Sequence, residues 1–240
     1  MITSTQNQLI KDAKKLHMKK YRDKENKLLI EGHHLIETAA DIGLIDTVFL
    51  TKPHPRYKQA TLLSPHVLKH LLNTDHQPMV AAIIKKPKPM TPGKRVLVLE
   101  NIQDPGNVGT LIRSALAFGF DTLVLDQCAD LFSLKVLRST QGALFKLRLF
   151  EGGFKKFMEK HPDYVLIGAH LSTDKPLNKR PNTPYALILG NEGQGLREST
   201  IKALDHTITI PTKAIDSLNV GVAGSIIMHA LTQKQPLLSD

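Results

Sequence analysis

The sequence predicts an α/β protein: a mainly parallel sheet with helices on both faces, preceded by a small α/β domain. Three observations carry this expectation. From Arg95 onward, short apolar runs alternate with helical segments, the pattern of a sheet buried on both faces. Before Lys85 the apolar runs and helices are shorter and less regular. Between the two lies KKPKPMTPGK, Lys85 to Lys94, where Pro87, Pro89 and Pro92 cannot donate ladder hydrogen bonds and favour an extended connector. The chain therefore divides into residues 1–86, a proline-rich linker 87–94, and residues 95–240, long enough for two domains with real cores.

In the first part, a basic helix is expected over Asn7 to Arg22, with Leu9, Ala13, Leu16 and Met18 among polar residues. KLLIEG follows as a strand, and HLIETAADIG as a helix closed by Gly43. IDTVFLT, ATLLS and MVAAIIK read as further short strands, with PHVLKHLL a helix before the last. Lys11, Lys14, Lys15, Lys19, Lys20 and Arg22 outnumber the acids of the first helix, so that face is either simply solvated or turned towards RNA. In the second part, RVLVLENI, DTLVLD, YVLIGAHL, YALILGN and HTITIP read as buried strands. Ligands of such sheets bind beyond the carboxyl ends of strands, which singles out the loops after Glu100, Leu189 and Ile210.

The formal net charge of +10 favours anionic partners, nucleic acid first among them. Aromatic residues make up 5% and tryptophan is absent, so phosphate and shape contacts are expected over extensive base stacking. No apolar run approaches the roughly 20 residues needed to cross a bilayer. Met1 to Leu16 carries Lys11, Asp12, Lys14 and Lys15 in place of the apolar middle of a secretory signal, so the expected location is the cytoplasm, without a membrane partner. Cys128 is the only cysteine, which excludes an internal disulfide and a cysteine-based zinc site.

Each of the three loops has its own chemistry. After the first strand, Pro105-Gly106 signals a turn and Asn107 is a reasonable helix cap. Val108, Leu111, Ile112, Ala115 and Leu116 then form an apolar stripe with Arg113 on its flank, either a solvated charge or a functional one. In LILGNEGQGL, Gly190, Gly193 and Gly195 allow close backbone approach to a ligand, and Glu192 could accept ligand hydroxyls. The spacing is neither that of a P-loop nor that of a dinucleotide fingerprint. After Ile210-Pro211, Ser217 or Asn219 can cap a helix whose stripe is Val220, Ala223, Gly224, Ile227 and Leu231. Its small residues from Gly221 to Ser225 point to a closely packed neighbour, within the chain or in a second subunit.

In this order and at these strand ends, the three segments resemble the SpoU/TrmH family of RNA ribose 2′-O-methyltransferases. DPGNVGTLIRSALAFG is similar to the family's first motif, LILGNEGQGL to its second and IPTKAIDSLNVGVAG to its third. KVLRSTQGALFKL resembles the helix and strand between them, and LLIEGHHLIETA and VAAIIKKP more loosely resemble the preceding substrate-binding domain. Thr212 stands where members often carry methionine, and Gly221 where serine or alanine is usual.

The resemblance implies S-adenosylmethionine as methyl donor, a carboxyl-terminal trefoil knot, and a homodimer with the active site near the subunit interface. The knot runs against the general rule that chains stay unknotted. Catalytic roles would fall to Asn107, Arg113, Glu192, Ser217 and Asn219, and donor binding to the backbone around Gly190, Ile210 and Leu218. The family's arginine has been assigned as the base, yet an arginine side chain keeps its proton in proteins. A charged clamp on phosphate and developing oxyanion is the better reading of Arg113. The expected substrate is ribosomal RNA, 23S first, with transfer RNA as the alternative. A metal enzyme is not expected: His66 and His70 share a helix face but lack an obvious third ligand. The other rival, a non-catalytic RNA-binding relative acting in ribosome assembly, would be expected to have lost part of the five-residue set.

Overall fold

The computed structural model describes residues 1–171, 175–177, 179–213 and 217–232. Ala214, Ile215 and Asp216 of the third loop lie outside the described residues. The chain forms two compact units, Met1–Pro87 with Asp130–Phe145, and Lys88–Ala129 with the residues from Lys146 on.

The first unit opens with two helices, α1 (Gln8–Lys15) and α2 (Lys19–Glu25), where one helix was expected from Asn7 to Arg22. The break falls at Leu16–Met18, with Met18 extended. There the buried Arg22 donates from Nη1 to the carbonyls of Leu16 (3.0 Å) and His17 (2.7 Å), supplying partners that a continuous helix would not need. The buried stripe of α1 is Ile10 and Ala13, continued by Leu16, whereas Leu9 and Met18 are exposed.

Next come β1 (Lys27–Glu31), α3 (His33–Asp41), β2 (Ile45–Leu50), β3 (Thr61–Leu62), α4 (Pro65–Leu72) and β4 (Val80–Lys85). Gly43, at φ +69°, follows α3 as expected. The strands form one sheet in the order β1-β4-β2-β3, with β4 antiparallel to both neighbours and β3 parallel to β2. One core joins Ile10, Ala13 and Leu16 to Phe49, Leu63, Val67, Leu68 and Leu71.

The unit is completed by a segment from the far side of the linker, which a linear division of the sequence did not foresee. It carries α5 (Leu134–Thr140) and a 3₁₀ turn (Ala143–Lys146). Leu134 packs on the core just described, Asp130 pairs with Arg22, and Arg138 pairs with Glu31.

In the second unit β5 (Arg95–Glu100) is followed by α6 (Pro105–Ala117), β6 (Thr122–Asp126), β7 (Arg148–Phe150), α7 (Gly153–Lys160) and β8 (Val165–Ala169). Then come β9 (Tyr185–Leu189), α8 (Glu198–Ala203), β10 (His206–Ile208) and α9 (Val220–Ala230). The six strands run parallel in the order β10-β8-β9-β5-β6-β7. The short edge strand β7, directly after KVLRSTQGALFKL, has little apolar patterning of its own.

Alternation along the strands puts helices on both faces. Val96, Val98, Ala186 and Ile188 pack with Phe154 and Phe157 of α7 and with Leu204 beside α8. On the opposite face, Leu189 meets Gly224 of α9, where Leu111 of α6 also packs. The chain leaves β5 towards β6 and leaves β9 towards β10, so strand order reverses between β5 and β9. Ligands of such sheets bind at the carboxyl ends of strands beside this reversal.

Candidate active site

The loop after β5 begins with Asn101 at φ +57°, and its next residue, Ile102, is fully buried. Asp104 caps α6, accepting from the Asn107 amide at 2.8 Å, with Pro105 at the first helical position. Asn107 was expected to be the cap. Because Asp104 takes that role, the Asn107 side chain is available for longer-range contacts.

The loop after β9 turns back on itself, Asn191 and Gly195 exchanging backbone hydrogen bonds at 3.0 and 2.9 Å. Asn191 Oδ1 also accepts the amides of Gly193 and Gln194, and its Nδ2 donates to the Asn101 carbonyl at 2.8 Å. A Cβ on Gly190 would come within 2.3 Å of the Gly195 carbonyl carbon, so only glycine fits there. The far end of the loop is anchored by Glu100, a fully buried carboxylate at the tip of β5. It accepts from the Arg197 amide (2.6 Å), Arg197 Nη2 (2.9 Å) and Thr200 Oγ1 (2.5 Å), the satisfaction a buried charge requires.

In the third loop, Asn219 caps α9, its Oδ1 accepting the amides of Gly221 (2.9 Å) and Val222 (3.3 Å). That fixes the amide orientation, so Nδ2 faces Asn107 and donates to Asn107 Oδ1 at 3.0 Å. Asn107 Nδ2 must then point the other way, and it donates to Glu192 Oε1 at 3.0 Å. A helix N-terminus thus orients Glu192 through two side-chain amides, one from each of the other loops. Glu192 Oε2 lies a long 3.4 Å from Asn191 Nδ2, which leaves this oxygen able to accept from a ligand hydroxyl.

Beside Glu192 opens a cavity of about 460 Å³, lined by residues of all three expected donor-binding positions, Gly190, Ile210 and Leu218. Leu189, Leu196, Ile208 and Ile227 give it apolar walls, and Glu192, Gln194, Thr209 and Ser217 add polar groups. Its volume and mixed lining suit a small amphiphilic molecule.

Arg113 stands apart. It is exposed on α6, and no carboxylate among the described residues pairs with it. Six residues past Asn107, it lies about 9 Å along the helix and roughly 240° around it. The structure therefore brings Asn107, Glu192 and Asn219 together, sets Ser217 at the cavity, and leaves Arg113 outside this cluster.

Asn101, Asn191, Glu100 and Arg197 were missed by sequence reasoning. A usable signal existed for Glu100, a lone acid closing the otherwise apolar run RVLVLE. Cys128 lies behind the first loop, where its Sγ donates to the Leu99 carbonyl at 3.1 Å and burial pushes its thiol up to about 11. Among the described residues, no group of three or more His, Cys, Asp or Glu side chains is placed to hold a metal ion, and no helix is long and apolar enough to cross a membrane. His70 instead meets Lys14, and His66 meets Ser64.

A parallel sheet with three loops converging on one cavity, one of them supplying an oriented carboxylate, is the arrangement of a ligand-binding α/β domain. The model of the SpoU rRNA Methylase family matches residues 94–229, and that of the MRM3-like substrate binding domain matches residues 7–82. The chain belongs to the SpoU rRNA Methylase family.

Its relatives include the 23S rRNA (guanosine(2553)-2′-O)-methyltransferase RlmP of Bacillus subtilis (strain 168), 35% identical over 96% of this chain and 98% of that protein. The crystal structure of AdoMet-bound rRNA methyltransferase from Sinorhizobium meliloti matches with a TM-score of 0.82 at 26% identity, covering 96% of each chain. A crystal structure described as an RNA 2′-O ribose methyltransferase matches with a TM-score of 0.77 at 29% identity, over 95% of this chain and 96% of that one.

Proposed function

We propose that this protein transfers a methyl group from S-adenosylmethionine to a ribose 2′-hydroxyl of ribosomal RNA, 23S rRNA first. The observation that carries the reading is the Asn219–Asn107–Glu192 chain at the edge of the cavity, in a protein of the same span as RlmP. The residues present fit the donor. Gly190 leaves room for backbone approach, and Leu189, Leu196, Ile210 and Leu218 offer apolar surface to a purine. S-adenosylmethionine, when bound, supplies an electrophilic methyl group.

The chain's own residues do the rest. Glu192, held by Asn107, accepts a ligand hydroxyl and fixes its orientation, so that binding energy is spent on alignment. Arg113 serves as a charged clamp on the target phosphate and the oxygen that gains negative charge, with the hydroxyl proton passing partly to solvent. Its exposure away from Glu192 favours a homodimer in which the active site is completed across the subunit interface. Close packing of Gly224 against Leu111 and Leu189 suits the family's trefoil knot through the last two motifs. The cytoplasm is the proposed place of action.

The test is methyl transfer from labelled S-adenosylmethionine to unmodified 23S rRNA and, separately, unmodified tRNA, followed by digestion to nucleosides. Label on a ribose 2′-oxygen from the rRNA pool is expected. Label confined to tRNA would transfer the reading to that substrate, which relatives named tRNA/rRNA methyltransferases make the second choice.

A further inference from the structure

Two consecutive residues at the tip of β5 hold both ends of the loop that carries Glu192. At the near end, Asn191 Nδ2 donates to the Asn101 carbonyl at 2.8 Å. At the far end, the Glu100 carboxylate accepts from the Arg197 amide and guanidinium and from the Thr200 hydroxyl. Between these anchors the loop is closed on itself. Asn191 and Gly195 exchange backbone hydrogen bonds, and Gly190 lies against the Gly195 carbonyl with no room for a Cβ. A loop braced in this way has little internal freedom, so its two ends set where Glu192 stands.

The bland explanation of Glu100 is that it steadies the fold. β5 does not need it for that purpose: Val96, Leu97, Val98 and Leu99 are fully buried, and an apolar residue at position 100 would extend the same core. A fully buried carboxylate carries a desolvation cost that only well-placed partners offset. What it supplies is direction. The Arg197 amide meets Oε1, while Arg197 Nη2 and Thr200 Oγ1 meet Oε2. Only a group that accepts on both sides satisfies all three donors, and a carboxamide would turn its NH₂ against one set of them. These donors lie just past the loop at the start of α8, where Arg197 stands at the cap position without a side-chain cap of its own. Arg197 Nη2 also reaches Asp126 at the tip of β6, so the anchor spans two strands.

We propose that Glu100 is a positioning residue for Glu192: through Arg197 and Thr200 it fixes the loop after β9, and with it the carboxylate that receives the ligand hydroxyl. The proposal deepens the reading of the protein as an RNA methyltransferase and rests on it. Glu100 does not line the cavity, so its effect on transfer passes through the loop.

The test compares wild-type protein with Glu100→Gln, Glu192→Gln, the double variant, and Leu123→Ala, a core truncation on β6 that removes none of the loop's hydrogen bonds. Hydrogen exchange over residues 191–197 is measured on the protein alone, and methyl transfer to unmodified 23S rRNA under single-turnover conditions. Glu100→Gln is expected to speed exchange of the Arg197 amide and the loop amides roughly tenfold, the scale of one lost hydrogen bond to a charged group. Transfer should fall about 10²-fold, as when a reacting group is displaced. In the Glu192→Gln background the same change should add less than about twofold, because residues that act through one another are not additive. Leu123→Ala should lower the melting temperature and leave loop exchange as it is. Thr200→Val, which removes only the hydroxyl donor, should act like Glu100→Gln to a smaller extent, and it replaces that variant if the latter does not fold.

Loop exchange unchanged from wild type in both Glu100→Gln and Thr200→Val would overturn the proposal, as would equal acceleration in Glu100→Gln and Leu123→Ala. So would losses of transfer that multiply in the double variant, the sign of a structural role alone. Failure of the function reading looks different. Wild-type protein would then transfer no methyl to rRNA or tRNA, while the loop amides would still answer to Glu100, and their exchange alone would decide whether the anchor exists.

Discussion

Asn107 lies three residues past the cap of its helix, and that position decides what it can do. Asp104 and Asn107 are both good capping residues, and sequence alone does not say which one the backbone selects. With Asp104 chosen, Asn107 becomes the link between the α9 cap and Glu192. Arg113 poses the converse problem: its flank position was legible from helical periodicity, but its exposure in a single chain was not. Arg113→Ala is expected to lower methyl transfer about 10²- to 10³-fold while leaving donor binding intact, the scale seen when a charge-stabilising donor is removed. Arg113→Lys should recover little of this, because an ammonium cannot present the planar fork of a guanidinium. Turnover assays beside calorimetric donor titrations would check both. Cys128 gives a simpler expectation. With its thiol pushed up to about 11, the thiolate fraction at pH 8 is about two orders of magnitude below that of an ordinary cysteine. A chromogenic disulfide reagent should titrate it slowly in the native protein and at once in denaturant.

Elements were read most reliably where a continuous apolar run is bounded by turn residues. β5, β6, β8 and β9 are of this kind, and each is found where its run predicts. The reading failed where an element depends on distant partners. α1 and α2 are separated because Arg22 reaches back to two carbonyls, and β7 exists because β6 offers it an edge. The small residues of α9 lie between these cases. Their number was legible, and the structure identifies neighbours within the chain. A Cβ at Gly224 would lie 2.4 Å from Leu111 Cδ2 and 2.5 Å from Leu189 Cδ1, both flexible side-chain ends. Gly224→Ala is therefore expected to destabilise by about 1–3 kcal/mol, the range for overpacking a core. Gly190→Ala meets backbone, which cannot yield in the same way, so it should also abolish donor binding. Chemical denaturation and donor titration of the two variants would separate these outcomes.

On the scale of the whole molecule, the separation of Arg113 from Glu192 makes subunit exchange informative. Mixing Arg113→Ala with Glu192→Ala protein should restore about a quarter of wild-type sites if each site draws these residues from opposite protomers of a twofold dimer. No recovery after verified exchange would place both in one protomer. The domain reading was limited in a related way. A proline-rich stretch is visible in sequence, whereas the membership of Asp130–Phe145 in the first unit depends on pairings such as Arg138 with Glu31, more than a hundred residues apart. That returning segment also governs the order in which the molecule can be finished as it is made. The sheet of the first unit and the buried core from Ile10 to Ile83 are encoded before residue 87, but Leu134, which packs on that core, and the ion-pair partners of Arg22 and Glu31 arrive only with Asp130–Phe145. By then β5, α6 and β6 of the second unit have already been made. Domains commonly fold in the order of their synthesis. Here the two units are finished interleaved, and the amino-terminal one receives its last segment after the catalytic sheet has been started.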